Sequence, residues 1–248
     1  MSEALSILYR DDYLIAVHKP AGLFVHRSNL DRRAQDFLLQ QLRDQIGQYL
    51  YPVHRLDRPT SGIVLFALQS ATAAALKAQF DSGGVEKRYH AVLRGYLQAQ
   101  TIDYPLKPIY DAIADKHRKA LTEAKAACSR FTPLAQVELP FASSARYPTS
   151  HYSLACLVPQ SGRKHQLRRH AKHISHPIIG DTAYGDLRQN KAFAEHLDIH
   201  GLLLHSYALR LRHPQTATAL EIVDSVVTPR WQRIYQLFKT DGATLLSL

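Results

Sequence analysis

In the stretch HRLDRPTSGIVLF, residues 54–66, a lone carboxylate, Asp57, lies between Arg55 and Arg58, just before a Thr-Ser-Gly turn and an apolar run. Opposite charge on both sides favours the ionised form, so this side chain suits a nucleophile or a base better than a general acid. Aspartic proteases and glycosidases need a second carboxylate within a few ångströms. None accompanies Asp57 in its motif, and acids are too sparse around every motif for the carboxylate clusters of two-metal nucleases. A protein-kinase catalytic loop reads His-Arg-Asp-Leu; here the order is His-Arg-Leu-Asp, with no glycine-rich loop upstream and no Asp-Phe-Gly downstream. The competing role is structural, with Asp57 capping a turn or pairing with an arginine.

A second stretch, RKHQLRRHAKHISH (163–176), carries Arg163, Lys164, Arg168, Arg169 and Lys172 with four histidines, and no acid follows until Asp181. Such a surface binds phosphates. His170, His173 and His176 lie three residues apart, but without a Cys, Asp or Glu beside them this spacing is weak grounds for a metal, and they are assigned to the basic face with His165. Tyr89, in EKRYHAVLRG, is either a strand tyrosine with its ring in the core or a stacking platform for a base. Over the whole chain 31 Lys and Arg face 21 Asp and Glu, a net charge of +10 that makes a nucleic acid the first candidate partner. A basic enzyme of small anionic substrates would show the same excess.

These groups need a framework. The chain has 248 residues, 46% of them hydrophobic, enough for a sizeable core, and no linker, repeat or shift in composition divides it; one domain spanning 1–248 is expected. No run approaches the roughly 18 apolar residues of a membrane span, and the N-terminus lacks the order of a signal peptide, so a cytoplasmic protein is expected. Cys128 and Cys156 are too few for a disulfide framework or a zinc site and are read as packing residues in a reducing compartment. Short strands are predicted around the Asp11-Asp12 turn and the Lys-Pro-Ala-Gly turn (19–22), at GIVLFAL (62–68), and in KRYHAVLRG, AQVEL, HYSLACLV, LLLHSYALRLR and ALEIV. Helical periodicity covers 31–46, the stretch after Ser70 with that serine as N-cap, and roughly 164–174 and 229–239. Hairpin-linked strands with a few helices predict an α+β fold with a mixed, largely antiparallel sheet. Residues 105–133 are read as a basic excursion containing one helical piece.

Taken together, HRLDRPTSG, KRYHA, SGRKHQLRRH and HPIIGDTAYG, with VHKPAGLFVH before and LLLHSYALRLRHP after, resemble the RluA-type family of pseudouridine synthases from about residue 5 to 215. RDQIGQ, ADKHRK and GDLRQN further resemble the subfamily that modifies position 65 of tRNA. The resemblance implies a pseudouridine synthase fold, an isomerase of uridine in tRNA, no cofactor, no metal and no obligate protein partner. Ribosomal RNA or another tRNA site is the alternative substrate, and a non-catalytic RNA-binding module or a hydrolytic N-glycosidase the alternative function. It also implies that Asp57 is the catalytic aspartate, attacking C1′ or removing a sugar proton; that Tyr89 stacks on the uracil and assists loss of the C5 proton; and that Arg168 pairs with Asp57. Arg55 would enter the helix where the uridine has flipped out, Leu167 would line the pocket, and Arg163 and Lys164 would contact phosphates, although relatives often carry Thr where Lys164 stands. The S4-like domain found ahead of many relatives is not expected here, and segment 105–150 is assigned a part in substrate choice.

Overall fold

The computed structural model describes residues 4–26, 36–109, 123–144 and 146–240. Strands β1 (Ile7–Arg10) and β2 (Leu14–Lys19) pair antiparallel across a turn in which Asp11 Oδ1 accepts from the backbone N–H groups of Tyr13 and Leu14 at 2.7 and 2.8 Å. There follow α1 (Leu38–Ile46), β3 (Tyr51–Pro52), β4 (Ser61–Ala67), α2 (Ser70–Asp81), β5 (Glu86–Arg94) and β6 (Gln100–Asp103). The second half supplies β7 (Cys128–Leu139), β8 (Ser150–Pro159), α3 (Gln166–His173), α4 (Leu187–Leu197), β9 (Leu204–Arg212), β10 (Ala219–Val223) and α5 (Pro229–Leu237). All ten strands form one sheet in the order β1-β2-β4-β9-β5-β8-β7-β6, with β3 on β4 and β10 on β9. The pairing of β4 with β9 is parallel and the rest is antiparallel, so the fold is α+β with a mixed, mostly antiparallel sheet, as expected.

Side chains alternate across each strand, and the two faces of the sheet take different helices. Ile15, Val17, Val64 and Phe66 pack with Leu38 and Leu42 of α1, while Leu14, Ala16, Ile63 and Leu65 pack with Leu76 of α2. Farther along, Ala91, Leu93, Ala155 and Leu157 meet Leu167 and Ala171 of α3, while Val92, Tyr152 and Leu154 meet Phe193 of α4 and Trp231 of α5. Each fully buried leucine in these layers contributes about 2 kcal/mol over its exposed state. Tyr89 packs against both the α1 cluster and the α3 cluster, which places its ring where the two halves meet.

Several boundaries differ from the sequence expectation. The first helix starts at Leu38, because Phe37 is extended and bridges Phe24; residues 31–35 lie outside the described residues. Ser70 is the first helical residue of α2, and its N-cap is Gln69, which makes no side-chain capping bond. The basic excursion ends sooner than 133, since Cys128 already begins β7; Leu106 and Lys125 bridge across its base, and the expected helical piece falls among 110–122, outside the described residues. Helix α3 starts at Gln166 because His165 holds a left-handed φ of 56°. No strand directly follows the Lys-Pro-Ala-Gly turn among the described residues, where Phe24 makes only an isolated bridge to Phe37, and the sequence reading missed β3, β6 and α4.

The Thr-Ser-Gly turn joins the Asp57 loop to the centre of the sheet. Ser61 Oγ lies 3.0 Å from His205 Nδ1, and Asp224 Oδ2 lies 2.6 Å from His18 Nδ1 and 3.6 Å from His205 Nε2, so one buried polar network ties β2, β4 and β9. Gly62 sits opposite Ser206 with φ 114°, and a Cβ there would stand 2.2 Å from the Ser206 carbonyl oxygen. Only glycine permits this backbone approach. Gly62→Ala should therefore cost roughly 3 kcal/mol or more of stability; a urea-unfolding midpoint equal to that of wild type would refute the constraint.

Candidate active site

The loop carrying Asp57 is clamped before any substrate arrives. Lys19 is fully buried, and its ammonium donates to the carbonyls of Pro20, Leu23 and Arg58 at 3.0, 2.8 and 3.1 Å. Burial pulls the Lys19 pKa down to about 7, and the Asp57 carboxylate opposes that pull. Arg58 Nε donates to the Gly22 carbonyl at 3.0 Å, and Gly22 N–H donates back to the Arg58 carbonyl at 2.8 Å. Thr60 N–H closes the turn on the Asp57 carbonyl at 3.1 Å. Arg58 is thus a fastener of the loop, and the charge partner of Asp57 comes from elsewhere.

That partner is Arg168, 111 residues away, whose Nη1 donates to Asp57 Oδ2 at 3.1 Å. Arg168 is itself held from the other side: Nε and Nη2 donate to the two oxygens of Asp181 at 2.7 and 2.8 Å, a bidentate fork. Asp181 also accepts from the backbone N–H groups of Ala183 and Tyr184 at 2.9 and 3.0 Å. Burial pushes the Asp181 carboxyl up, but Arg168 and the two backbone donors more than reverse this and hold its pKa below the ordinary value. In Arg168 burial likewise opposes the charge and the two carboxylates outweigh it, so the guanidinium stays charged. Side-chain exposure is 1% for Asp181, 6% for Arg168 and 22% for Asp57, so Asp57 is the accessible end of this chain.

Asp57 lines a cavity of about 420 Å³, a size suited to a small ligand. The sequence-selected Arg55, Tyr89, Arg163, Lys164, Leu167 and Arg168 line the same cavity, so all seven residues singled out from the sequence converge on one place. Arg55, Arg163 and Lys164 are exposed, while Leu167 is 6% exposed and forms an apolar wall. Tyr89 faces Ser206 across the β5–β9 pairing, and burial pushes its hydroxyl up to about 12, which keeps it a neutral phenol at physiological pH.

The histidines depart from the single basic face read in the sequence. His170 is fully buried, with Nδ1 3.1 Å from Ser129 Oγ and Nε2 3.0 Å from the Tyr104 carbonyl. His173 stacks on Tyr104 at 3.6 Å, and His176 lies beyond the end of α3 with Nδ1 2.7 Å from the Arg94 carbonyl. His165 stands over the site: Nε2 is 3.7 Å from Asp57 Oδ1 and Nδ1 is 2.9 Å from the Tyr184 hydroxyl. Burial lowers its pKa and Asp57 works against that shift. Asp181, His165, Lys19 and a further cavity residue, Lys87, were all missed as site residues from the sequence. The available signal was their position inside the quoted motifs: Lys19 in VHKPAG, Lys87 in KRYHA, His165 in GRKHQ and Asp181 in IIGDTAYG.

Comparison with known proteins assigns this architecture. The overall fold matches that of human RNA pseudouridylate synthase domain containing 1, with a TM-score of 0.70 at 24% identity over 98% of this chain and 93% of the other. Human RNA pseudouridylate synthase domain containing 4 matches with a TM-score of 0.68 at 22% identity over 94% of this chain and 93% of that one. Residues 13–173 match the family model for RNA pseudouridylate synthases, and this chain belongs to that family; it is an isomerase. Among its relatives is a Pasteurella multocida protein named tRNA pseudouridine synthase C, 50% identical over 96% of this chain and 97% of its own length. A protein of the same name from Vibrio parahaemolyticus is 46% identical over 96% of each chain.

Asp181→Asn removes one member of a buried ion pair and should lower stability at neutral pH by roughly 3–5 kcal/mol. Because the folded-state pKa of Asp181 is depressed, its stabilisation is complete above the ordinary value of 3.8 and disappears as pH falls through the folded value. Urea midpoints of wild type and variant should therefore differ most near neutrality and converge in acid; coincident midpoints at neutral pH would contradict this.

Proposed function

We propose that this chain converts uridine to pseudouridine in tRNA, at position 65, with Asp57 as the catalytic residue. The observation that carries the reading is a single reachable carboxylate, held by a buried arginine, in a cavity whose other walls are a tyrosine, a leucine and cations. The tRNA assignment draws on relatives of about half identity named for that substrate, and the position on the local likenesses in RDQIGQ, ADKHRK and GDLRQN. Asp57 initiates cleavage of the C1′–N1 bond, either by attack on C1′ or by taking a sugar proton to leave a glycal. The freed uracil turns within the cavity and rejoins C1′ through C5; the C5 proton is lost to solvent, N1 takes up a proton, and a sugar proton removed on the glycal route is returned to C2′. One C–N bond is exchanged for one C–C bond without redox change, so the reaction requires no cofactor.

The remaining residues take roles that fit their exposure. Tyr89 supplies a ring face for the uracil and, as a neutral phenol, a hydroxyl near C5. Arg55, exposed at the cavity mouth, fills the gap that a flipped uridine leaves in the RNA helix. Arg163 and Lys164 contact phosphates. Two free thiols, Cys128 and Cys156, suit the reducing cytoplasm in which we place the enzyme, and no helix among the described residues is long and apolar enough to cross a membrane.

The decisive assay uses tRNA transcribed with uridine tritiated at C5. Tritium release without free uracil is expected from wild type; free uracil would mean hydrolysis, and neither product would mean binding alone. Asp57→Asn should fall below about one-thousandth of the wild-type rate while still binding tRNA. Tyr89→Phe keeps the ring and should lose roughly 100-fold or more in tritium release with a smaller change in affinity. Reverse transcription of carbodiimide-treated RNA maps the product, and modification elsewhere than position 65 would refute that part.

A further inference from the structure

Beside the Asp57 cavity lies a second one of about 390 Å³, and the two share a wall made by Phe80, Asp81, Lys87, Ser161, Gly162 and Arg163 among others. Val85, Val158 and Pro159 give the second cavity apolar sides, and Arg130 and Gln160 stand at its edge. Its acids and bases do not balance. Glu86 is taken by Arg88 Nε at 2.7 Å, which leaves Lys87, Arg130 and Arg163 against Asp81. Among the described residues neither Lys87 nor Arg130 makes an ion pair with a carboxylate. Lys87 sits on the same face of β5 as Tyr89 and lines both cavities, and burial lowers its pKa, the cost of holding a cation there without a counter-ion. The dividing loop is rigid: Gln166 Oε1 accepts from Ser161 Oγ at 2.8 Å and from Arg163 N–H at 2.9 Å, and its amide donates to the Cys128 carbonyl and Ser129 Oγ, both at 2.9 Å.

We propose that this second cavity takes the nucleotide adjoining the target uridine, with its base against Val85, Val158 and Pro159 and the connecting phosphate on Lys87 at the shared wall. The inference rests on the reading of the Asp57 cavity as the uridine site. A polymer seated there must leave through neighbouring space, and the adjoining space combines apolar sides with unneutralised cations. That is the chemistry of a base joined to a phosphate. A free anion would need only the cations, and an apolar ligand only the walls. The second cavity therefore acts in substrate choice: it rewards an RNA whose uridine can be presented together with an unstacked neighbour.

The test uses steady-state tritium release from synthetic tRNA, intact or with an abasic residue on either side of the target. For wild type, one abasic neighbour should raise KM about 10-fold with kcat changed less than twofold. Arg130→Glu reverses a charge, and Gln160→Trp fills space; both positions are exposed and line the second cavity but not the first, so both variants should fold. Each should raise KM for intact tRNA about 10-fold and respond no further to the abasic neighbour. Variants that match wild type in KM, or that keep the full abasic response, would overturn the proposal. So would inhibition by free adenosine monophosphate that Arg130→Glu relieves while abasic RNA behaves as intact RNA, since that describes a site for free nucleotide. Failure of the uridine reading looks different: wild type would release no tritium from any of these RNAs.

Discussion

Arg168 stands between two carboxylates of unequal freedom, and the site is organised by that inequality. Asp181 is sealed in, saturated by the guanidinium fork and two backbone donors, and can neither titrate easily nor turn away. Arg168 is therefore fixed in direction, with one of its remaining N–H groups, on Nη1, aimed at Asp57. Removing a charged group from water costs several kcal/mol unless it is paired and hydrogen-bonded. Asp181 meets that cost for Arg168, which leaves the arginine free to orient the more exposed Asp57 carboxylate. Were Asp57 the sole counter-ion of this buried arginine, any loss of its charge would strand the guanidinium.

Two loops far apart in sequence have to agree for this to work, and the sheet makes them agree. The Asp57 loop descends into β4, where Ser61 and Gly62 lie against His205 and Ser206 of β9 in the sheet's one observed parallel pairing. Strand β9 also borders β5, which carries Tyr89 opposite Ser206. Thus Asp57 and Tyr89 are referred to the same two residues of a central strand. Arg168 reaches them from α3, which Leu167 and Ala171 bind to the neighbouring stretch of sheet. Lys19 closes the arrangement from beneath by gathering three carbonyls of the loop and its neighbour.

Much of this was legible in the residues. Short runs of strand-forming residues between turn signals were read well: a strand follows the Asp11-Asp12 turn as expected, and Ala219–Val223 has the limits read for it. Helix α4 escaped because its apolar positions are few, Ala192 and Phe193 being its buried residues, and its strongest signal is a cap: Asp186, which accepts from the N–H groups of Arg188 and Gln189. The start of α3 was misplaced because nothing in SGRKHQ announces that a histidine will adopt a left-handed backbone. Of the cavity-lining side chains, Asp57, Tyr89 and the basic Arg163, Lys164 and Arg168 stood out by their chemistry, and motif resemblance added Arg55 and Leu167 and gave each its role. Asp181 did not stand out, since a carboxylate that serves another residue leaves no periodicity of its own. In sequence it only ended a run without acids; in space it is what makes the run usable.

The buried network of His18, Ser61, His205 and Asp224 joins residues 206 positions apart. Contacts of such sequence separation form late, because the intervening chain must first give up its freedom. Synthesis proceeds from the N-terminus, so the Asp57 loop emerges well before β9 exists to receive Ser61 and Gly62. A growing chain thus carries Asp57 without the strand that fixes its loop until β9 has emerged. A fragment that stopped before β9 would hold Asp57, Tyr89 and Arg168 and still lack the strand against which Ser61, Gly62 and Tyr89 are seated.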